Sequence, residues 1–298
     1  MAHDGWAAGC PALAARAARM RQRIAKRTAL ALAQDLLAWK STASPGDEGT
    51  VTIEVRRKRG NVDLGPERRV VHESVLRARC RDWAEKQLAK SCGVIKVAEG
   101  VGPEACDAWL HFMYTAALLP DGKDNYMPCL LKFSGARHWA RLWSSLSAKT
   151  AADGLSPAEQ QLCDDIEQCA EAGDLEQQTD SIFLCAEEKR PREKGGGHQL
   201  LRLRVFRPLL LARADFFKAS LSERWITPLD QKVDTQPGND EQSRHTGAEV
   251  ALALAPGTLA AFVSWLHGSL SPLPAECLPE LLHVAEYYGV HGLGAVVS

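Results

Sequence analysis

The stretch VVHESVLRARCRDW, Val70 to Trp83, sets a histidine, a glutamate, a serine, a cysteine and an aspartate within fourteen residues. Those side chains could assemble a reactive centre or merely punctuate a buried framework, and the rest of the chain separates the two. Beside it, VFRPLLLARADFF, Val205 to Phe217, repeats the apolar skeleton: Val71, Val75, Leu76, Ala78 and Trp83 match Val205, Leu209, Leu210, Ala212 and Phe217 at a constant offset of 134. The reactive residues do not repeat. His72, Glu73, Ser74 and Cys80 meet Phe206, Arg207, Pro208 and Ala214. What persists is packing, so both stretches are expected to be a strand end followed by a short buried helix, with Pro208 in the first turn where its missing N–H breaks no bond.

Two further blocks repeat in the same order. CDAWLHFMYTAAL from Cys106 matches LAAFVSWLHGSL from Leu259 at an offset of 153, with Cys106, Trp109, Leu110 and Met113 against Leu259, Phe262, Val263 and Leu266. Both sets follow i, i+3, i+4, i+7, the buried stripe of a helix. LLKFSGARHWARL from Leu130 matches LLHVAEYYGVHGL from Leu281 at 151. The jump from 134 to 153 puts about 19 extra residues in the second copy, within the polar, aperiodic stretch 226–247, read as a mobile inserted loop.

The 298 residues suffice for two domains of ordinary size. An apolar fraction of 45% and a charged fraction of 24% are those of a globular protein, and a net charge of −1 gives no global pull on nucleic acid or anionic membrane. Nine cysteines are an odd number without CxxC spacing, so they are read as free thiols in a reducing compartment. No apolar run approaches the roughly 18 residues that cross a bilayer. The expected place is the cytoplasm, with the nucleus as the alternative. The opening segment carries Arg16, Arg19, Arg21, Arg23, Lys26 and Arg27 with no acid until Asp35, a pattern that overlaps with a transit peptide. Its continuous helix propensity favours a folded arm, whose thin apolar stripe of Leu13, Ala17, Met20 and Ile24 must dock on the protein's own body, a second copy or a partner.

VTIEV (51–55) and SIFLCAEE (181–188) read as strands opening each copy, each followed by a charged turn, RRKRGN or KRPREKGGG. VIKV (94–97) and EVALAL (249–254) are strand candidates before the long helices. Ser156-Pro157-Ala158-Glu159 is a capping box that launches an acidic helix ending near Gly173, so a helix precedes each copy: 28–40 and 157–172.

Strand, turn, strand, H-x-x-V-L-x-A-R, an aromatic, a strand, then a helix ending in F-x-Y-T resembles the BTB/POZ domain. His72, Val75, Leu76, Ala78, Arg79 and Trp83, then Phe112, Met113, Tyr114 and Thr115, carry the resemblance in the first copy. Val205 to Phe217, with Leu209 and Leu210, then Trp265 to Gly268 and Glu280 to Leu293, carry it in the second. The family's opening Ser-Asp survives as Thr179-Asp180 in the second copy, while Gly49-Thr50 replaces it in the first, and the family's histidine is Phe206 in the second. The resemblance implies an α+β fold of two BTB/POZ-like units, each a small β-sheet capped by a cluster of α-helices. It also implies a dimerising protein-interaction module, an adaptor or scaffold in which cullin-type ubiquitin ligases are an alternative partner. Cullin-binding members carry a hydrophobic-x-Glu element after the V-L helix. By position the second copy offers Trp225-Ile226-Thr227, or Leu221-Ser222-Glu223 about four residues early; the first offers Leu88-Ala89-Lys90 with the charge reversed. The implied partner-binding residues are therefore Leu88, Lys90, Leu221, Glu223, Trp225 and Ile226.

Motifs of catalysis are absent: no G-x-S-x-G, HExxH, Walker loop or GxGxxG. Gly195-Gly196-Gly197-His198 reads as a hairpin loop rather than a phosphate cradle. His72 with Cys80 could form a thiolate pair, and a helix-start histidine near a buried thiol is the blander reading. His267, His283 and His291 have no zinc spacing. Arg56-Arg57-Lys58-Arg59 with Arg68-Arg69 reads as a basic hairpin tip, solvated, with nuclear import or phosphate contact as alternatives. The expectation is a non-enzymatic interaction protein without cofactor or metal, binding proteins and not nucleic acid or membrane. Its layout is a basic helical arm at 1–40, a first unit at 41–150, a helical acidic linker at 151–178 and a second unit at 179–298. The two copies pair within one chain or between chains.

Overall fold

The computed structural model describes residues 11–47, 49–59, 62–91, 93–97, 101–117, 154–171, 181–187, 200–221, 248–290 and 292–297. The chain divides into two units, Met1–Ala172 with Gly268–Pro272, and Gly173–His267 with Leu273–Ser298. The blocks 130–142, 179–180, 195–198 and the loop 226–247 lie outside the described residues.

In the first unit, α1 (Pro11–Lys40) is a single 30-residue helix. Alanine, leucine and arginine are strong helix formers, and no glycine or proline interrupts its interior. Its second half is buried through Ala29, Leu32, Ala33 and Leu36, a spacing of 3, 1 and 3 that puts all four on one face. Next come β1 (Thr50–Arg59) and β2 (Val62–His72), an antiparallel hairpin, then α2 (Glu73–Leu88), β3 (Val94–Lys96), α3 (Pro103–Thr115) and α4 (Pro157–Glu171). Strand β3 runs parallel to β1, with Ile53 opposite Ile95, giving the order β2-β1-β3. Val51, Ile53 and Val55 alternate into the core as a half-covered sheet requires.

The charged turn expected at RRKRGN is corrected: Arg56 to Arg59 belong to β1, which stays paired past a register irregularity, with Lys58 opposite Asp63 and Arg59 opposite Val62. Alternating charge across the hairpin explains the extension. Arg57 lies 3.0 Å from Glu67, and Arg68 lies 3.5 Å from Glu54. Arg69 grips Asp107 through two nitrogens, at 2.6 and 2.9 Å. Opposite charges facing each other on neighbouring strands stabilise a ladder. Arg57, Arg68 and Arg69 of the basic residues seen in the sequence are thus matched by acids.

Helix α4 is launched by the anticipated capping box. The Ser156 hydroxyl accepts from the Glu159 amide at 3.2 Å and the Glu159 carboxylate accepts from the Ser156 amide at 2.8 Å. Burial opposes ionisation of Glu159, but hydrogen bonds from Lys26 and Ser156 hold its carboxyl below the usual range. Ser156→Ala is expected to destabilise the first unit by about 1 kcal/mol in a urea titration. Helix α4 packs among α1, α2 and α3.

In the second unit, β4 (Ser181–Glu187) and β5 (Leu200–Phe206) form an antiparallel hairpin. They are followed by α5 (Arg207–Arg213), α6 (Asp215–Ser220), β6 (Ala248–Leu252) and α7 (Pro256–Leu266), then a 3-10 turn at Ala275–Cys277, α8 (Leu278–Tyr287) and α9 (Leu293–Val297). Strand β6 runs parallel to β4, giving the order β5-β4-β6. Helix α7 buries seven of its eleven residues, with Gly257 and Ala260 exposed, and at its start Glu280 of α8 accepts from the Ala255 amide and the Thr258 hydroxyl. The fold is mixed α and β, with two three-stranded sheets of the same strand order and direction.

Candidate functional site

Of the side chains that looked reactive in the opening stretch, His72, Ser74 and Cys80 are buried, while Glu73 is half-buried and Asp82 exposed. At the end of β2, the His72 amide donates to the Tyr114 hydroxyl of α3 at 2.9 Å. That same hydroxyl lies 3.0 Å from His72 Nδ1. The imidazole stacks on Trp39 of α1, ring centroids 3.5 Å apart. In the second unit the equivalent amide, that of Phe206, donates to His267 Nε2 at 3.5 Å, and His267 stands 153 residues after Tyr114. One strand end is tied to one helix end in each unit, with different polar atoms.

A second correspondence lies one helical turn away. Arg79 is fully buried and its guanidinium sits 5.6 Å from the Phe112 ring centroid. Arg213, 134 residues later, is also fully buried and sits 3.6 Å from the Trp265 ring centroid, with Trp265 standing 153 residues after Phe112. Desolvated arginine over an aromatic face gains both quadrupole attraction and packing. The charge is satisfied differently in each case. Arg79 Nη1 meets Asp165 of α4 at 2.6 Å, whereas Arg213 Nη1 donates to the carbonyls of Trp265 and Leu266 at 2.8 and 3.0 Å. Directly after each arginine the helix breaks. Cys80 has φ −148° and ψ 55°, and Ala214 has φ −141° and ψ 109°.

Cys80 and His72 are both committed to packing and hydrogen bonding. The Cys80 thiol donates to the Leu76 carbonyl at 3.2 Å, and burial pushes it up to about 12, so it stays protonated at neutral pH. Burial likewise pushes Cys106 up to about 12. Among the described residues, Cys80, Cys106, Cys163, Cys169, Cys185 and Cys277 are thiols outside any disulfide, and no group of three histidine, cysteine or carboxylate side chains could hold a metal ion. No described helix is long and apolar enough to cross a membrane.

Burial holds both framework histidines down to about 4, against the attraction of Asp47 for His72 and reinforced by Arg213 for His267. An unfolded histidine titrates near 6.5. The folded state therefore binds fewer protons between about pH 4 and 6.5, so this contribution is complete above about 6.5 and is lost as pH falls towards 4. Chemical denaturation at pH 7.5 and 4.5 is expected to show a loss of about 2–4 kcal/mol, partly relieved in His72→Phe. Equal stability at the two pH values would contradict this assignment.

The family-motif residues fall where a core would place them: His72, Val75, Leu76, Tyr114, Leu209, Leu210 and Phe217 are buried, and Trp83 is half-buried, edge-on to Trp109 at 5.4 Å. Of the partner-binding candidates, Leu88 is half-buried and Lys90 exposed at the end of α2, while Leu221 is buried and its carbonyl accepts from Arg207. Glu223, Trp225 and Ile226 lie outside the described residues. No protein-family model matches the chain, and no curated protein matches its sequence.

Two solvent-facing surfaces escaped the sequence reading or were only half seen. The first half of α1 is exposed throughout 14–23, with Met20 53% exposed. In the second unit, Phe216 of α6 and Leu282 and Tyr287 of α8 form an exposed apolar corner. Tyr287 packs against His283 and Tyr288, and Phe216 lies edge-on to Tyr288. The i, i+1, i+4, i+5 spacing of Leu282, His283, Glu286 and Tyr287 was the available signal, since it marks one face of a helix.

Proposed function

We propose that the protein is a non-enzymatic, self-associating interaction scaffold made of two divergent BTB/POZ-like units. The observation that supports this best is the paired framework: Arg79 over Phe112 and Arg213 over Trp265, with a strand-end amide tied to Tyr114 in one unit and His267 in the other. A duplicated architecture in which His72 and Cys80 are replaced by Phe206 and Ala214 uses those positions for packing, leaving the helix surfaces as the working parts. The shared order β2-β1-β3 and β5-β4-β6 agrees with a repeated fold.

Sedimentation velocity of the full chain from about 1 to 100 μM tests the reading, with a parallel binding assay against purified cullin scaffold. A Kd of 10 μM corresponds to roughly 7 kcal/mol, within reach of a modest specific interface. The expected result is a concentration-dependent dimer. A monomer throughout, with no retention of the cullin scaffold, would overturn the reading; retention by a monomer would replace self-association with the adaptor role.

A further inference from the structure

We infer that Ser44, in the turn joining α1 to β1, is a phosphorylation site for a proline-directed kinase, and that the added phosphate opens this turn. The inference stands apart from the scaffold reading and rests on the hydroxyls that the loop leaves accessible.

Pro45 follows Ser44, and the pair begins a four-residue turn in which the Asp47 amide donates to the Ser44 carbonyl at 3.2 Å. Proline is preset for the second place of such a turn, and Gly46 at φ 90° supplies a left-handed third place. Residues 41–47 are exposed except for half-buried Ala43, and a Cβ added at Gly46 or Gly49 would meet nothing within 4 Å. An enzyme can therefore approach the turn from solvent.

The neighbouring hydroxyls are already engaged. Ser41 donates to the Ala38 carbonyl at 2.6 Å, Thr42 to that of Trp39 at 2.8 Å and Thr50 to that of Asp47 at 2.7 Å. The Ser44 hydroxyl takes part in none of these bonds. Ser156 also precedes a proline, but its hydroxyl is held in the capping box of α4.

In the transfer, the Ser44 oxygen attacks the γ-phosphorus of ATP and the bond from that phosphorus to the bridging oxygen breaks. ADP leaves with the electron pair, and the hydroxyl proton passes to the kinase's base. The product carries roughly −1.5 to −2 charge at neutral pH. The Ser44 amide donates to Asp47 Oδ2 at 3.0 Å, so the new charge stands beside a carboxylate and repels it. Lys40, the nearest basic residue in sequence, holds its ammonium over the Tyr114 ring, 5.8 Å from the centroid. Thr50 Oγ1 joins the Ser44 and Asp47 carbonyls at the start of β1, and the Gly49 carbonyl accepts from the Glu73 amide of α2 at 2.8 Å. Opening the turn thus loosens the joint at which α1, β1 and α2 meet.

Incubating the full chain with MgATP and a proline-directed kinase, with site occupancy read by mass spectrometry, tests the site. Ser44 is expected to take phosphate while Ser156 does not, and Pro45→Ala to abolish the modification. The Ser44, Asp47 and Thr50 amides are then expected to exchange about tenfold faster in the phosphorylated chain. That acceleration should shrink in Asp47→Asn, which keeps the acceptor oxygen and removes the charge. Both substituted positions are exposed, and circular dichroism checks that the fold survives. A Ser44 left unmodified, whether or not Ser156, Thr227 or Ser271 is phosphorylated, would overturn the site. Phosphate on Ser44 with unchanged exchange, or with equal acceleration in Asp47→Asn, would overturn the opening of the turn by repulsion.

Discussion

Asp165→Ala is expected to cost the first unit about 3–5 kcal/mol, because it strips the counter-ion from a guanidinium with no solvent exposure. Arg79 Nη1 meets Asp165 at 2.6 Å, while Arg79 Nε and Nη2 have no hydrogen-bond partner among the described residues. Once the carboxylate is gone, the Phe112 ring 5.6 Å away offers the desolvated charge only a weak offset, and water must reach it or α2 and α4 must part. Hydrogen exchange should report this locally, as faster opening of α2 and α4 with the second unit unaffected. The double substitution Arg79→Met/Asp165→Leu removes both charges together and should recover most of the loss, since an apolar pair of similar volume needs no neutralisation. If Asp165→Ala alone costs under about 1 kcal/mol, the pair is not what holds α4 in place.

The equivalent substitution in the second unit, Arg213→Ala, is expected to cost a similar amount, about 3–5 kcal/mol, for a different reason. Arg213 donates to the carbonyls of Trp265 and Leu266, which fall in the last turn of α7, where helix carbonyls lack intrahelical partners. It also covers the Trp265 ring at 3.6 Å. Alanine would leave two carbonyls unmet and a cavity beside Trp265. Arg213→Lys should fall short of wild type as well, because a point ammonium cannot lie flat on the indole while bridging two carbonyls. Denaturant unfolding of both variants checks this, and a lysine variant as stable as the parent would contradict the stacking role.

Much of the framework was legible in sequence because it is written in apolar periodicity. Cys106, Trp109, Leu110 and Met113 are buried as their spacing requires, and so are Leu259, Phe262, Val263 and Leu266. The short strands near 51, 94, 181 and 249 all form, and the Ser156 box closes as drawn. What spacing could not reveal was pairing across the chain. Arg213 sat in plain view at the offset of 134 from Arg79, yet an arginine at the end of a short apolar run looks like a surface residue until its partners are known. Trp39 on His72 and Asp165 on Arg79 join segments far apart in sequence, and no local pattern encodes such contacts. The helix breaks at Cys80 and Ala214 carry no glycine or proline to announce them. In the second unit, the bonds from the Asp215 and Phe216 amides to the Gly289 and Tyr288 carbonyls take up the groups freed at the break. The extent of β1 is hidden in the sequence because a run of cations resembles a solvated turn, and it shows only once Arg57 is seen facing Glu67 and Lys58 opposite Asp63 across the hairpin.

Whether one scaffold is built twice is read most directly from an experimental structure of the full chain, by superposing residues 50–115 on 181–267. The predicted result is matching strand order in both sheets, with Arg79 and Arg213 lying over Phe112 and Trp265 at equivalent places. Sheets of different strand order, or an Arg213 side chain turned out to solvent, would contradict it.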